Sequence, residues 1–120
     1  MKKEKYSYNR RILIKLLSLS VSREVMTQEQ LIIMQREGSL PETWNVHHIL
    51  PKKYGGDNSL GNLCIIPYDK HIELSKELNK LKPKFFNKKN YPFLKDISRK
   101  YGGILLKYNR YPNAYKYFNI

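Results

Sequence analysis

The sequence predicts one α+β domain whose centre is a two-stranded antiparallel hairpin followed by a helix. Residues that favour extended structure occur on both sides of a turn-rich loop, at about 44–50 and 62–67. Leucines then recur at helical intervals, and an apolar helical face precedes the hairpin. At 120 residues the chain is long enough for a single modest core. Its predicted parts are helical support (1–43), the central unit (44–81) and a basic, tyrosine-rich extension (82–120).

The N-terminal part carries signals for two supporting helices. Apolar side chains recur at helical spacing over about 9–20. Thr27 followed three residues later by Gln30 is typical of a capping box at the start of a second helix. Gly38 can end that helix because glycine readily adopts the left-handed conformation.

The hairpin is predicted from residue type and from the loop between its strands. Aromatic and β-branched residues mark both strands, while Pro51 and Gly55-Gly56 punctuate the connection. A loop of about a dozen residues is long for a compact domain and is commonly functional. Successive side chains on a strand point to opposite faces, so His47 and His48 are expected to perform different tasks.

After the second strand the pattern becomes helical. Leu74, Leu78 and Leu81 recur at intervals of three and four residues. Asp69 is the expected N-cap, which places His71 in the first turn with its ring directed back toward the strands.

The last third of the chain carries weaker structural signals. A short helix is expected at about 92–100. Gly102-Gly103 followed by Ile104-Leu105-Leu106 indicates a strand or a turn.

All three histidines of the chain, His47, His48 and His71, fall within residues 44–74. Imidazole is the commonest metal ligand, and its ordinary pKa of about 6.5 suits proton transfer near neutral pH. A single histidine is more often a core or surface residue than a ligand. Concentrating every copy in one quarter of a lysine-rich chain indicates a metal-assisted active site.

The spacing of these histidines and of the residues between them resembles a known family. His48 is followed by Pro51, by Gly55-Gly56, by Asn62 fourteen positions on, and by His71 nine further. The pattern HHIxPxxxGGxNxxxNL, with a later histidine opening a helix, is similar to the HNH endonucleases, a branch of the ββα-metal nucleases. The resemblance covers about 44–81. The stretch KHIEL at 70–74 also resembles the helix of the DNase domains of E-group colicins and related bacterial toxins.

This resemblance implies a fold, a reaction and a role for each residue. The fold is a ββα-metal core, and the reaction is hydrolysis of a phosphodiester bond to 5′-phosphate and 3′-hydroxyl ends. His48 is implied as the general base that activates water. His47 and His71 are implied as ligands of one divalent cation. Asn62 is implied to hold the loop through its backbone and so to orient the base.

The chain departs from the colicin-type pattern at Ser75. Those domains carry another histidine at this position, four residues after the helix histidine and on the same face. Two imidazoles with water or phosphate oxygens favour Mg²⁺ or Mn²⁺ as the single divalent cation, with Zn²⁺ or Ni²⁺ as alternatives.

The charge of the chain predicts a polyanionic partner. Lysine and arginine number 23 against 10 acidic residues, a net charge of +13. Contacts with phosphate need no reading of base sequence, so we expect DNA to be bound with low sequence specificity. RNA is the less favoured substrate. The tyrosines of the C-terminal part are expected mostly to pack rather than to stack on bases. The residues expected to contact nucleic acid are Lys52, Lys53, Lys70, Lys84, Lys88, Lys89, Arg99 and Lys100.

Residues 1–22 place basic residues before an apolar run, as a signal peptide does. Lys15 interrupts that run and Glu4 dilutes the basic region, so we expect no signal peptide. No segment is long enough to span a membrane, and a single cysteine fits a reducing compartment. We therefore expect action in the cytoplasm or in the DNA-containing compartment of a target cell, without a membrane partner.

Several biological settings and one different class of function remain open. A small, very basic nuclease domain resembles the nuclease end of a bacterial toxin or effector, for which an acidic immunity or inhibitor protein would be the partner. A phage or mobile-element nuclease is the competing setting. The different class is a non-catalytic, basic nucleic-acid-binding protein with a degenerate HNH core.

Overall fold

The computed structural model describes residues 6–106, which form a mixed α+β fold with four α-helices and one small antiparallel sheet. The expected α+β class is confirmed. Single-turn 3-10 segments lie in the loops. In chain order the elements are α1 (Tyr6–Leu17), α2 (Gln28–Glu37), β1 (Trp44–His48), β2 (Leu63–Pro67), α3 (Tyr68–Leu78), α4 (Tyr91–Lys100) and β3 (Ile104–Leu105).

The sheet has the order β1-β2-β3, with both pairs antiparallel. The β1–β2 register sets His47 opposite Cys64 and His48 opposite Leu63. The central strand β2 is buried from Leu63 to Ile66, as expected for a strand covered on both faces.

Helices cover both faces of the sheet because the side chains of β2 alternate between two hydrophobic clusters. Leu63 and Ile65 pack with residues of α1 and α2. Cys64 and Ile66 pack with residues of α3 and α4. The sheet therefore separates an N-terminal helical layer from a C-terminal one.

The predicted caps of the second helix are confirmed, whereas the bounds of the first helix differ. Thr27 and Gln30 form a reciprocal capping box, and Gly38 ends α2 at φ 68°. α1 lies three residues earlier than the predicted 9–20. The Ser18 hydroxyl donates to the main-chain oxygen of Lys15, a local bond of the kind that competes with helix continuation.

The assignment of Asp69 as N-cap is wrong. α3 begins at Tyr68, directly after Pro67, and no side chain caps it. The amide of Tyr68 instead donates to the main-chain oxygen of Thr43 at 2.8 Å, so the end of the hairpin satisfies the first helical N–H group. Asp69 lies in the first turn, where a carboxylate is favoured by the helix dipole.

Part of the segment predicted as a basic extension belongs to the folded unit. Leu94 and Ile97 of α4, a helix expected at about 92–100, are buried against the α3 side of the sheet. The Gly102-Gly103 pair leads into β3, which pairs with β2. The residues beyond 106 lie outside the described part of the chain. They include Lys107, Arg110, Lys116, Tyr108, Tyr111, Tyr115 and Tyr117.

Within residues 6–106 no helix has the length and apolar character needed to cross a membrane.

Cys64 is expected to resist thiol reagents in the native protein. It is fully buried in β2, and burial raises the pKa of its thiol to about 12, so little reactive thiolate forms near pH 8. We expect labelling by a chromogenic disulfide reagent to be slower than in urea-unfolded protein by about a hundredfold or more. Equal rates in the two states would contradict the position of β2 at the centre of the sheet.

Candidate functional site

The candidate site lies at the end of β1, where consecutive histidines point to opposite sides of the sheet. His48 shares the α1 side, because its ring stacks on Tyr6 with centroids 5.5 Å apart. His47 shares the α3 side, because its ring meets His71 edge to face with centroids 5.2 Å apart. This split follows from the two-residue period of a strand, as the sequence predicted.

His47 is the buried member of the three. Its side chain is only 8% exposed, and its Nε2 atom is buried without a hydrogen-bond partner. Burial, and then the nearby rings of His71 and His48, lower the pKa of His47 to about 4. Burial also lowers the pKa of His71. Both rings are therefore held neutral near pH 7, the form in which imidazole binds a metal.

An unpaired polar atom in a protein interior is costly unless a partner satisfies it. The Nε2 atom of His47 is such an atom, and it lies beside a second neutral imidazole from α3. A divalent cation would satisfy it, so the residues present fit a metal ligated by His47 and His71. Across residues 6–106, no group of three or more His, Cys, Asp or Glu side chains is arranged to hold a metal ion.

The His48 ring is half-buried and is held by the loop. Its Nε2 atom lies 2.8 Å from the side-chain oxygen Oδ1 of Asn58. The Tyr6 ring covers one face of the imidazole at an interplanar angle of 23°. The loop thus holds the ring at one nitrogen, and α1 covers one of its faces.

Asn62 ties both ends of the loop together. Its Oδ1 accepts from the amide of Leu50 at 2.8 Å. Its Nδ2 donates to the main-chain oxygens of Leu50 at 3.0 Å and Asp57 at 2.8 Å. Asn62 itself is buried at the end of a 3-10 turn, Leu60–Asn62, rather than within the predicted strand. The loop-holding hydrogen bonds expected of this residue are present.

The two glycines of the loop are required for different reasons. Gly55 has φ 93°, a left-handed conformation that ends the 3-10 turn Lys52–Tyr54. A Cβ atom on Gly56 would lie 1.7 Å from the carbonyl oxygen of Leu50, which leaves room for glycine alone. Gly55 thus lets the chain turn, and Gly56 lets it pack closely against Leu50, the residue that Asn62 holds.

The three imidazoles line one open cavity of about 280 Å³ together with Val46, Pro51 and Lys52. His47 and His48 come from the end of β1, and His71 comes from the first turn of α3. The fold therefore brings together side chains that are separated by 23 to 24 positions in the sequence. His47 also lines a second cavity of about 380 Å³, whose walls include Lys53, Ser75 and Asn79.

The basic residues predicted to contact nucleic acid are spread over the surface. Lys52 reaches the cavity of the imidazoles, Lys53 lines the larger cavity, and Lys88 lines a third cavity beside the loop. Lys84 and Lys89 are exposed. Two others form exposed ion pairs of the kind that contributes little to stability, Lys70 with Glu73 and Arg99 with Asp96. Exposed Lys100 forms an ion pair with half-buried Glu77.

Three residues of this site were missed by the sequence reasoning, namely Tyr6, Asn9 and Asn58. Asn58 had a signal, because it lies in the GGxN stretch of the quoted pattern. Asn9 had one as well, because it is a polar residue on the apolar face that includes Ile12 and Leu13. Its Nδ2 donates to the main-chain oxygen of Asn58 at 2.8 Å. Tyr6 carried no signal, since it lies in a basic segment before the apolar run.

Comparison of the chain with models of known protein families, with curated proteins and with solved structures gives no match.

Proposed function

We propose that this protein is a divalent-metal-dependent endonuclease of the HNH type, with β1, the following loop, β2 and α3 as its ββα-metal core. One observation carries the proposal. Three imidazoles from two elements line a single cavity, and one of them has a buried nitrogen without a hydrogen-bond partner. The spacing of His47, His48, Asn62 and His71, which resembles the HNH pattern, is the second support.

His47 and His71 are the proposed ligands of one divalent cation. With two imidazoles and the remaining positions open to water or phosphate oxygens, Mg²⁺ or Mn²⁺ fits better than a tightly held Zn²⁺. When bound, the cation would supply charge stabilisation for the phosphate and for the leaving oxygen.

His48 is the proposed general base. Its unprotonated nitrogen takes a proton from water, and the water oxygen attacks the phosphorus in line with the 3′ oxygen. The bond from phosphorus to the 3′ oxygen breaks, and that oxygen leaves as a hydroxyl after gaining a proton from solvent. Asn62 acts through the backbone, because it lies at the end of the loop and holds Leu50 near the start and Asp57 further along it.

DNA is the proposed substrate, cut with little sequence preference. The net charge of +13 gives a strong attraction for the phosphate backbone. Lys52 lies at the cavity itself, where an ammonium group could contact the phosphate that is cut. Contacts with the phosphate backbone carry no direct sequence information, so this attraction does not depend on the order of the bases.

Plasmid cleavage by the purified full chain tests this function. Supercoiled DNA should be nicked and then linearised with Mg²⁺ or Mn²⁺, and Ni²⁺ and Zn²⁺ are assayed in parallel. EDTA should abolish cutting, and excess metal should restore it. Single-stranded RNA under the same conditions tests the less favoured substrate. An absence of cleavage with all four cations would refute the proposal.

A non-catalytic nucleic-acid-binding protein is the second candidate. Ser75 in place of a further histidine favours it, as does the lack of a three-ligand group among the described residues. The same assay separates the two functions, because a binding protein would retard DNA in a salt-dependent way without cutting it.

The cellular setting is proposed from charge alone. If the nuclease serves as a toxin or effector, an acidic inhibitor protein is the partner that complements a net charge of +13. A phage or mobile-element nuclease would need no such partner.

A further inference from the structure

The protonation pattern of the His48 ring is set by its hydrogen bond to the loop. The Nε2 atom of His48 lies 2.8 Å from Oδ1 of Asn58. An amide oxygen accepts hydrogen bonds and cannot donate them. The proton of an uncharged His48 ring must therefore lie on Nε2, which leaves the lone pair on Nδ1.

Asn58 is itself anchored from a distant part of the chain. Its main-chain oxygen accepts a hydrogen bond of 2.8 Å from Nδ2 of Asn9, a residue 49 positions earlier on α1. Asn9 is 7% exposed, so its amide group needs a partner inside the protein. The bond to the loop supplies that partner and fixes the loop against α1.

Tyr6, one turn before Asn9 on the same helix, stacks on the His48 ring. The stack limits rotation of the imidazole about its χ2 angle, while the bond to Asn58 selects which nitrogen carries hydrogen. α1 thus restrains the ring directly through Tyr6 and indirectly through Asn9 and Asn58.

We propose that Asn58, held in place by Asn9, is a positioning residue that keeps the proton of His48 on Nε2 and so makes Nδ1 the atom that accepts the proton of the attacking water. This inference rests on the proposed role of His48 as general base. The same logic applies generally to histidines in catalysis, because the partner of one ring nitrogen decides the state of the other. In the step, the water proton moves to Nδ1 and the water oxygen bonds to phosphorus. The bond from phosphorus to the 3′ oxygen breaks, and that oxygen gains a proton from solvent.

The tautomer can be read directly by ¹⁵N NMR of the imidazole rings in the metal-free full chain. The His48 signals are assigned by comparison with His48→Gln. We expect the Nε2–H form in the wild type and in Asn58→Asp, which keeps an oxygen acceptor. Asn58→Ala should give a mixture of the two tautomers. An Nδ1–H form in the wild type, or an unchanged tautomer in Asn58→Ala, would overturn the proposal.

Steady-state cleavage supplies the second readout. We expect kcat to fall about 10- to 100-fold in Asn58→Ala, with KM nearly unchanged. The same range is typical when the hydrogen-bond partner of a metal-binding histidine is lost. Asn58→Asp should recover most of the loss. Asn9→Ala keeps the Asn58 side chain and should give a smaller loss, which provides a readout if Asn58→Ala folds poorly. Gln35→Ala, at an exposed amide side chain on α2, is the matched control and should behave as the wild type.

The outcomes separate this inference from the proposed function. A wild type that does not cut DNA refutes the nuclease proposal, and the tautomer of His48 would then have no role in catalysis. A wild type that cuts, beside an Asn58→Ala variant with unchanged kcat, refutes the positioning role alone.

Discussion

Replacing His48 with alanine should lower the rate of plasmid cleavage by a factor of about 10² to 10⁴, the usual contribution of a positioned general base. The alanine variant lacks any group at this position that could take the proton of the attacking water. DNA binding should change little, because the expected phosphate contacts come from lysine and arginine side chains. Nicking rates and salt-dependent gel retardation measure the two effects separately.

The proposed metal ligand His71 offers a matched contrast on the other side of the sheet. His71→Ala should weaken cation affinity, so its cutting should recover in part as the metal concentration is raised. His48→Ala should not recover at any metal concentration, because the missing group is the proposed base and not a proposed ligand. Cleavage by His48→Ala at the wild-type rate would refute its assignment as the base.

Among the substitutions proposed here, Asn62→Ala is expected to lower the free energy of unfolding the most. The substitution removes three hydrogen bonds and leaves the amide and carbonyl groups of Leu50 without their buried partner. Each unsatisfied buried group costs about 1–3 kcal/mol, so we expect the free energy of unfolding to fall by about 3 kcal/mol or more. Urea denaturation followed by circular dichroism measures the change.

Two further substitutions test the physical reason for this loss. Asn62→Asp keeps the acceptor for Leu50 but sets a carboxylate oxygen against the carbonyl oxygens of Leu50 and Asp57, so it should destabilise as much as alanine. Exposed Asn79→Ala should stay within about 0.5 kcal/mol of the wild type. An Asn62→Ala variant as stable as the Asn79→Ala control would show that the loop does not depend on these bonds.

The parts of the fold that residue type and period specify were predictable from the sequence. Two short strands, the helix after them, the capping box at Thr27 and the turn at Gly38 depend on local preferences, and each is present. The start of α3 was not predictable in the same way. Its first amide is satisfied by the main chain of Thr43, a contact that exists only once the hairpin has formed.

The residues of the candidate site also differ in whether the local sequence could predict them. The imidazoles and Asn62 occur at fixed spacing within one stretch, so the sequence pattern alone predicted them as site residues. Asn9 and Tyr6 lie about forty residues earlier, and nothing local links them to His48. Their contacts arise from the packing of α1 on the sheet, which a one-dimensional pattern does not contain.

The register of β1 against β2 decides which side of the sheet each of the two neighbouring imidazoles faces. The bond from the amide of Ile49 to the main-chain oxygen of Asn62, at 2.8 Å, continues that ladder past the end of the strands. A slip of the pairing by one residue turns every side chain of a strand to the opposite face. Such a slip would turn position 47 to the α1 side and position 48 to the α3 side, so strand alignment decides which histidine faces α3 as the proposed ligand and which faces α1 as the proposed base.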